Sequence, residues 1–192
     1  MPAALTIAGS DSGAGAGIQA DLKTFAAHGV YGTSAITALT AQNTLGVSGI
    51  HVVPDDFVTA QIEAVAGDIG CDAVKTGMLA TSQIVEAVAA AVESFDLPNL
   101  VVDPVMVAKS GDHLLDEEAV HALRWTLLRL ARVVTPNIPE AEVLAKMSIR
   151  SVADMREAAR RIATLKPAAV VIKGGHLPGP EIVDVLLEQG EF

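Results

Sequence analysis

Short Val- and Ile-rich runs alternate along this chain with longer stretches whose apolar positions recur at helical spacing. The runs predict strands over Leu5–Ala8, Ser34–Leu39, Ala73–Thr76, Leu100–Asp103, Val133–Thr135 and Ala169–Lys173. The intervening patterns predict helices over Ile18–His28, Asp55–Ile69, Ser82–Phe95, Asp116–Leu130, Pro139–Lys146 and Val152–Leu165. Ser82, Asp116 and Ser151 stand where helix N-caps are wanted. In the first helix, Ile18, Leu22, Phe25 and Ala26 form the expected buried stripe. Strands separated by helices imply right-handed crossovers and a mostly parallel sheet with helices on both faces. The stretch from Gln42 to Val53, with two glycines and short apolar pieces, reads instead as a loop or hairpin projecting from the sheet, a possible flap. No repeat, low-complexity segment or linker interrupts the pattern, which predicts one domain over residues 1–192.

Between the first strand and the first helix lies Gly9-Ser-Asp-Ser-Gly-Ala-Gly-Ala-Gly17. Glycines let a backbone approach a ligand closely, and a helix start offers free N–H groups. Two nucleotide motifs fail here. No Gly-Lys-Ser/Thr follows, as a P-loop requires, and Gly13, Gly15 and Gly17 fit the dinucleotide fingerprint only loosely. No acidic residue follows the second strand in Leu39-Thr-Ala-Gln42. The run therefore suggests a small-molecule site other than a standard phosphate cradle, with a flexible turn as the plain alternative.

Composition narrows the fold. With 192 residues, 51% hydrophobic and 3% aromatic, the core must be built of Ala, Val, Leu and Ile, as in parallel sheets flanked by helices. A formal charge of −10 disfavours nucleic-acid and anionic-membrane partners. The single Cys71 rules out an intrachain disulfide, and no apolar run is long enough to span a bilayer. The N-terminus lacks the features of a signal peptide, so the expected location is the cytoplasm.

In open parallel sheets, ligands bind beyond the carboxyl ends of the strands. Those ends bring up Asp11, then Gln42 and Asn43, then Thr76, Gly77 and Met78, then Asp103, then Asn137 with Glu140, and finally Lys173 with His176. Such a set suits phosphoryl transfer, which needs positioning and charge neutralisation. Lys173 can neutralise phosphate oxygens, and Asp103 and Glu140 can hold Mg²⁺ directly or through water. Each also has an ordinary structural reading: Lys173 as a solvated lysine, Asp103 as a turn residue before Pro104, Glu140 as a partner of the helix dipole. His28, His176 and Cys71 read as bystanders, and His113 and His121 lack metal-ligand spacing.

Several strings resemble hydroxymethylpyrimidine/phosphomethylpyrimidine kinases. They are Ala4 to Asp21, Tyr31-Gly-Thr-Ser, Thr37 to Asn43, Lys75-Thr-Gly-Met-Leu79, Val102 to Asp112, Thr135-Pro-Asn and Ile172 to Leu177. The resemblance is collinear over nearly the whole chain. It implies a ribokinase-like fold, a three-layer α/β/α sandwich around a mostly parallel sheet. It also implies ATP-dependent phosphorylation of 4-amino-5-hydroxymethyl-2-methylpyrimidine and then of its monophosphate, in thiamine synthesis. By resemblance, the pyrimidine lies against Ala16, Met78 and Val105. Asp21, Gln42 and the backbone of Thr40 bond its ring nitrogens and amino group. Asp103, Asn137 and Lys173 serve ATP, with Asp103 and Glu140 at Mg²⁺. Relatives are usually homodimers.

Two departures stand out. Ala14 sits between Gly13 and Gly15, where a positive φ would strain an alanine. The family also carries a Gly-Thr-Gly-Cys-Thr-type loop, which supplies the anion hole and the proposed base, and the sequence reaches Phe192 without one. The expectation is thus a domain whose last helices and strands are missing, with apolar sheet surface exposed. No catalytic residue is assigned within the chain, and weak pyrimidine binding with slow or no turnover is expected. Two alternatives stay open: a non-catalytic pyrimidine-binding protein of the same fold, or a pyridoxal kinase, which the intact Gln42 and Met78 disfavour. A dehydrogenase is disfavoured by the failed fingerprint.

Overall fold

The computed structural model describes residues 1–106, 117–177 and 181–192. Eight strands form one sheet: β1 (Ala3–Asp11), β2 (Tyr31–Asn43), β3 (Gly46–Val52), β4 (Ala73–Thr76), β5 (Leu100–Val102), β6 (Val133–Val134), β7 (Ala169–Ile172) and β8 (Val185–Glu188). Their spatial order is β3-β2-β1-β4-β5-β6-β7-β8. The six strands from β2 to β7 in this order are parallel, and β3 and β8 are antiparallel edges. The helices are α1 (Gly17–Ala27), α2 (Asp55–Asp68), α3 (Ser82–Ser94), α4 (Glu117–Ala122), α5 (Ile138–Ala145) and α6 (Val152–Ala163).

Alternation along the strands divides the sheet into two faces. One carries Leu5, Ile7, Val74, Leu100, Val102, Val134, Val170 and Ile172, all buried in a single apolar cluster with residues of α2 to α6. On the other face α1 packs on β1 and β2, making three layers there. Beyond α1, Val101, Val133 and Val171 of that face are half-buried, and Leu186 is exposed. Of these four positions only Leu186 is exposed, and the three valines keep partial cover.

The chain leaves β1 through α1 toward β2 on one side, and leaves β4 through α3 toward β5 on the other. The connections of two adjacent strands thus diverge between β1 and β4. A crevice at the carboxyl ends of such a pair is where open α/β sheets hold ligands.

Most predicted elements are present within a residue or two at their ends, although β1 and β2 run longer than predicted. The stretch after Gln42 is indeed a hairpin, formed by the end of β2 and β3. β8 was missed because only four residues carry its alternation, Val185 and Leu187 inward and Leu186 outward. The cap of α3 is Thr81, whose extended backbone lets its hydroxyl accept from the Ile84 N–H, so Ser82 is the first helical residue instead. Ala26 is exposed, because it lies about 80° round the helix from Ile18 and none of the described residues covers that flank. The predicted helix ending at Leu130 is α-helical only to Ala122, then a π turn over Leu123–Leu127 and a 3₁₀ turn over Leu128–Leu130. There the Thr126 hydroxyl donates to the Ala122 carbonyl and competes with the backbone ladder. Asp116 and His113 lie outside the described residues.

One buried polar atom is left over. The hydroxyl of Thr76, wholly inaccessible, has no hydrogen-bond partner among the described residues. Thr76→Val should therefore leave the midpoint of urea unfolding unchanged or raise stability by about 1 kcal/mol, since the valine keeps the shape and removes the orphaned group. A clear fall in the midpoint would show that the hydroxyl has a partner.

Candidate active site

The glycine run is organised by an acid. Asp11, at the end of β1, is 5% exposed. Its carboxylate accepts from the Gly13 N–H at 2.7 Å, the Gly15 N–H at 3.0 Å and the Ala16 N–H at 2.8 Å. The Gln19 side chain holds Asp11 from the other side, accepting its N–H and donating to the Ser10 hydroxyl. Loop amides that would otherwise cradle a phosphate are thus occupied by the protein's own carboxylate. Ala14 closes the turn with its N–H on the Asp11 carbonyl and takes φ of 59°, the strained conformation that its side chain disfavours. Lys23 bonds the Ala14 carbonyl from α1.

Ser12 ties this loop to the hairpin. Its hydroxyl donates to the Gln42 carbonyl and accepts from the Gln42 N–H. Between loop and hairpin lies a cavity of about 660 Å³. Ala16, Asp21, Thr40, Gln42, Met78 and Val105 all line it, so the six positions expected to touch a pyrimidine come together at the β1/β4 crevice. The Thr40 hydroxyl donates to the Ser10 carbonyl and also meets the Gln42 side-chain oxygen at 3.1 Å. Sequence reasoning missed Lys75, which lines the same cavity and forms an ion pair with Asp21 at 2.8 Å. Its signal was its position on β4, on the face of the sheet away from the main core.

A second group of residues adjoins the first through Asp103, which lines the cavity and accepts from Lys173 at 2.9 Å. Lys173 is held by its N–H on the Pro136 carbonyl, and it bridges to Asn137. Asn137 and Glu140 form a reciprocal capping box at the start of α5: each side chain accepts the other residue's backbone N–H, at 2.9 and 2.8 Å. The ordinary reading of Glu140 as a helix-terminus residue is therefore realised, whatever else it does.

Burial pushes the Glu140 carboxyl up to about 7, with the neighbouring Asp103 charge adding to the rise while Asn137 and Lys173 oppose it. A folded-state value above the ordinary 4.5 favours the neutral acid, so this contribution is full below pH 4.5 and is lost as pH rises toward about 7. Without added metal, the protein should lose about 3 kcal/mol of stability over that window from this group. Glu140→Gln keeps the capping box and should lack that part of the slope, as urea titrations at a series of pH values will show. Cys71, before β4, lies at the opposite end of the sheet from the site, and burial and Asp72 raise its thiol.

The model of the phosphomethylpyrimidine kinase family matches residues 11–192. The chain belongs to that family. Its residues are 54% identical over 188 positions to the thiamine biosynthesis bifunctional protein ThiED of Geobacter sulfurreducens, covering 98% of this chain and 38% of that protein. They are 49% identical over 189 positions to the hydroxymethylpyrimidine/phosphomethylpyrimidine kinase of Bacillus subtilis, covering 98% and 70%. The crystal structure of the phosphomethylpyrimidine kinase from Clostridium difficile superposes with a TM-score of 0.92 at 48% identity, over 98% of this chain and 81% of that one. An ADP complex of Bacillus subtilis pyridoxal kinase superposes with a TM-score of 0.91 at 45% identity, over 100% and 73%. The fold is thus the ribokinase-like α/β architecture of these kinases. Among the described residues no helix is long and apolar enough to cross a membrane.

Proposed function

We propose that this chain carries the pyrimidine site and part of the nucleotide site of a kinase that phosphorylates 4-amino-5-hydroxymethyl-2-methylpyrimidine and then its monophosphate. The observation that supports this most is the convergence of Ala16, Asp21, Thr40, Gln42, Met78 and Val105 on one cavity. A primary amide such as Gln42 offers both a donor and an acceptor to an aminopyrimidine edge. Asp103, Asn137 and Lys173 are the residues for ATP. Asp103 and Glu140 suit Mg²⁺, which takes one or two carboxylates and keeps waters and phosphate oxygens as its other ligands. The high Glu140 value, raised in part by Asp103, fits a place where a bound cation would relieve two adjoining acids. Bound there, Mg²⁺–ATP supplies the phosphoryl group. The protein's part is to orient the hydroxymethyl group and to neutralise charge.

Titration calorimetry with the aminopyrimidine and with pyridoxal tests the reading. Micromolar binding of the pyrimidine, with pyridoxal weaker, is expected; Gln42→Ala should lower pyrimidine affinity at least tenfold, for a loss of about 1.4 kcal/mol or more. Pyridoxal binding that exceeds pyrimidine binding would favour the second reading, a pyridoxal kinase, which the likeness to the Bacillus subtilis enzyme raises. A cytoplasmic homodimer completes the proposal. Leu39, Ile50 and Val52, exposed on the edge hairpin, are the apolar surface that a second copy would cover, and sedimentation gives the oligomeric state.

A further inference from the structure

The charge on Lys75 has no place in the roles given so far. It stands on β4 in a mostly parallel sheet, paired in register with Thr6 of β1. Its amine lies 2.8 Å from Oδ2 and 3.1 Å from Oδ1 of Asp21 on α1. The Thr6 hydroxyl, wholly buried, donates to the same Oδ2 at 2.6 Å. Gly77 leaves room for the amine, since a Cβ there would stand 3.0 Å from Nζ. The Asp21 and Lys75 side chains keep only 18% and 24% exposure, and both line the cavity.

The two oxygens of Asp21 are therefore unequal. Oδ2 is occupied by two short donors, and among the described residues Oδ1 carries only the longer Lys75 contact. An ionised carboxylate accepts and never donates. Two rigid strands thus set the carboxylate's rotation and leave one oxygen with spare capacity. A half-buried ion pair adds little stability as such, and its best-attested use is to specify one arrangement.

Building on the proposed pyrimidine site, we propose that Lys75, with Thr6, is a positioning residue that presents Asp21 Oδ1 to the cavity as a fixed acceptor. It thereby selects heterocycles that bear an N–H donor at that point over those that lack one. The amino group of an aminopyrimidine is such a donor.

The test compares two ligands, 4-amino-5-hydroxymethyl-2-methylpyrimidine and its analogue without the amino group, on four proteins: wild type, Lys75→Met, Lys75→Arg and Thr6→Val. Calorimetry should give the wild type a preference for the amino compound on the order of 100-fold, because a site built around a hydrogen bond rejects the ligand that leaves it unmade. Lys75→Met should cut that preference to about fivefold or less by weakening only the amino compound, with the analogue held within about threefold of wild type. Lys75→Arg should restore most of it. A general loosening of the pocket would weaken both ligands equally, and that result overturns the inference, as does a Lys75→Met preference equal to wild type. Should Lys75→Met fail to fold by circular dichroism, Thr6→Val decides. A preference reduced severalfold supports the positioning role, and an unchanged one overturns it. A wild type that binds neither pyrimidine brings down the proposed function itself, and this inference with it. A wild type that discriminates while the variants discriminate equally well brings down this inference alone.

Discussion

Gly17→Ala is expected to abolish ligand binding and to cost the fold about 3 kcal/mol or more, a large part of the 5–15 kcal/mol that holds a typical domain together. Two independent penalties meet at this residue. Its φ is +57°, where an L side chain costs about 1–2 kcal/mol. A Cβ would also lie 2.3 Å from the Gly9 carbonyl oxygen and 3.2 Å from the Asp11 nitrogen, both rigid backbone at the end of β1. Relief requires α1 to lift from the strand, and that moves Ala16 and Asp21 out of the cavity wall. Gly29→Ala separates the two penalties, since Gly29 has φ of +69° and, among the described residues, no atom within 4 Å of its would-be Cβ. It should lose only about 1 kcal/mol and bind normally. Urea unfolding midpoints and pyrimidine titrations of the two variants give the comparison. Equal, small losses would mean that the loop yields without moving the helix.

Asp11→Asn should be nearly as damaging as Asp11→Ala, against the usual ranking by size. The carboxylate receives three backbone N–H groups through two oxygens. An asparagine can keep one oxygen toward its donors, but its NH₂ then faces N–H groups with nothing to accept them. Hydrogen bonds to a charged group contribute about 1.5–3 kcal/mol each when sheltered, and these are partly exposed, so a combined loss of about 2–4 kcal/mol is expected. Pyrimidine affinity should fall at least tenfold, because Gly15 and Ala16 line the cavity proposed for the ring, and a tenfold change is only about 1.4 kcal/mol. Asparagine at wild-type affinity would show that the loop keeps its shape without the acid.

The alternation of apolar runs was enough to predict the parallel sheet, because strands buried on both faces are continuous Val/Ile stretches with helices between them. Short or irregular elements escaped. β8 offers two inward residues, and the π turn after Ala122 follows from a threonine back-bond that no periodicity carries. The site divides in the same way. Residues at strand ends, such as Gln42, Asp103 and Lys173, could be placed from topology. Lys75 could not, because a lysine inside a β-strand looks like an outward residue until its partner on α1 is known. Nor could the burial of Asp11, whose acceptors face three glycine-loop amides only after the loop has folded back upon the strand.

That fold-back has an electrostatic consequence for how a ligand is oriented. Among the described residues, the charged groups lining the cavity are Asp11, Asp21, Asp103 and Lys75, a surplus of two negative charges, and the glycine-loop donors held by Asp11 are taken up within the protein. A free phosphate, abundant in any cell, gains nothing at this end of the crevice. In the proposed site, a heterocycle that carries one is turned, as a compass needle is, with its uncharged edge toward α1 and its anionic end toward Lys173.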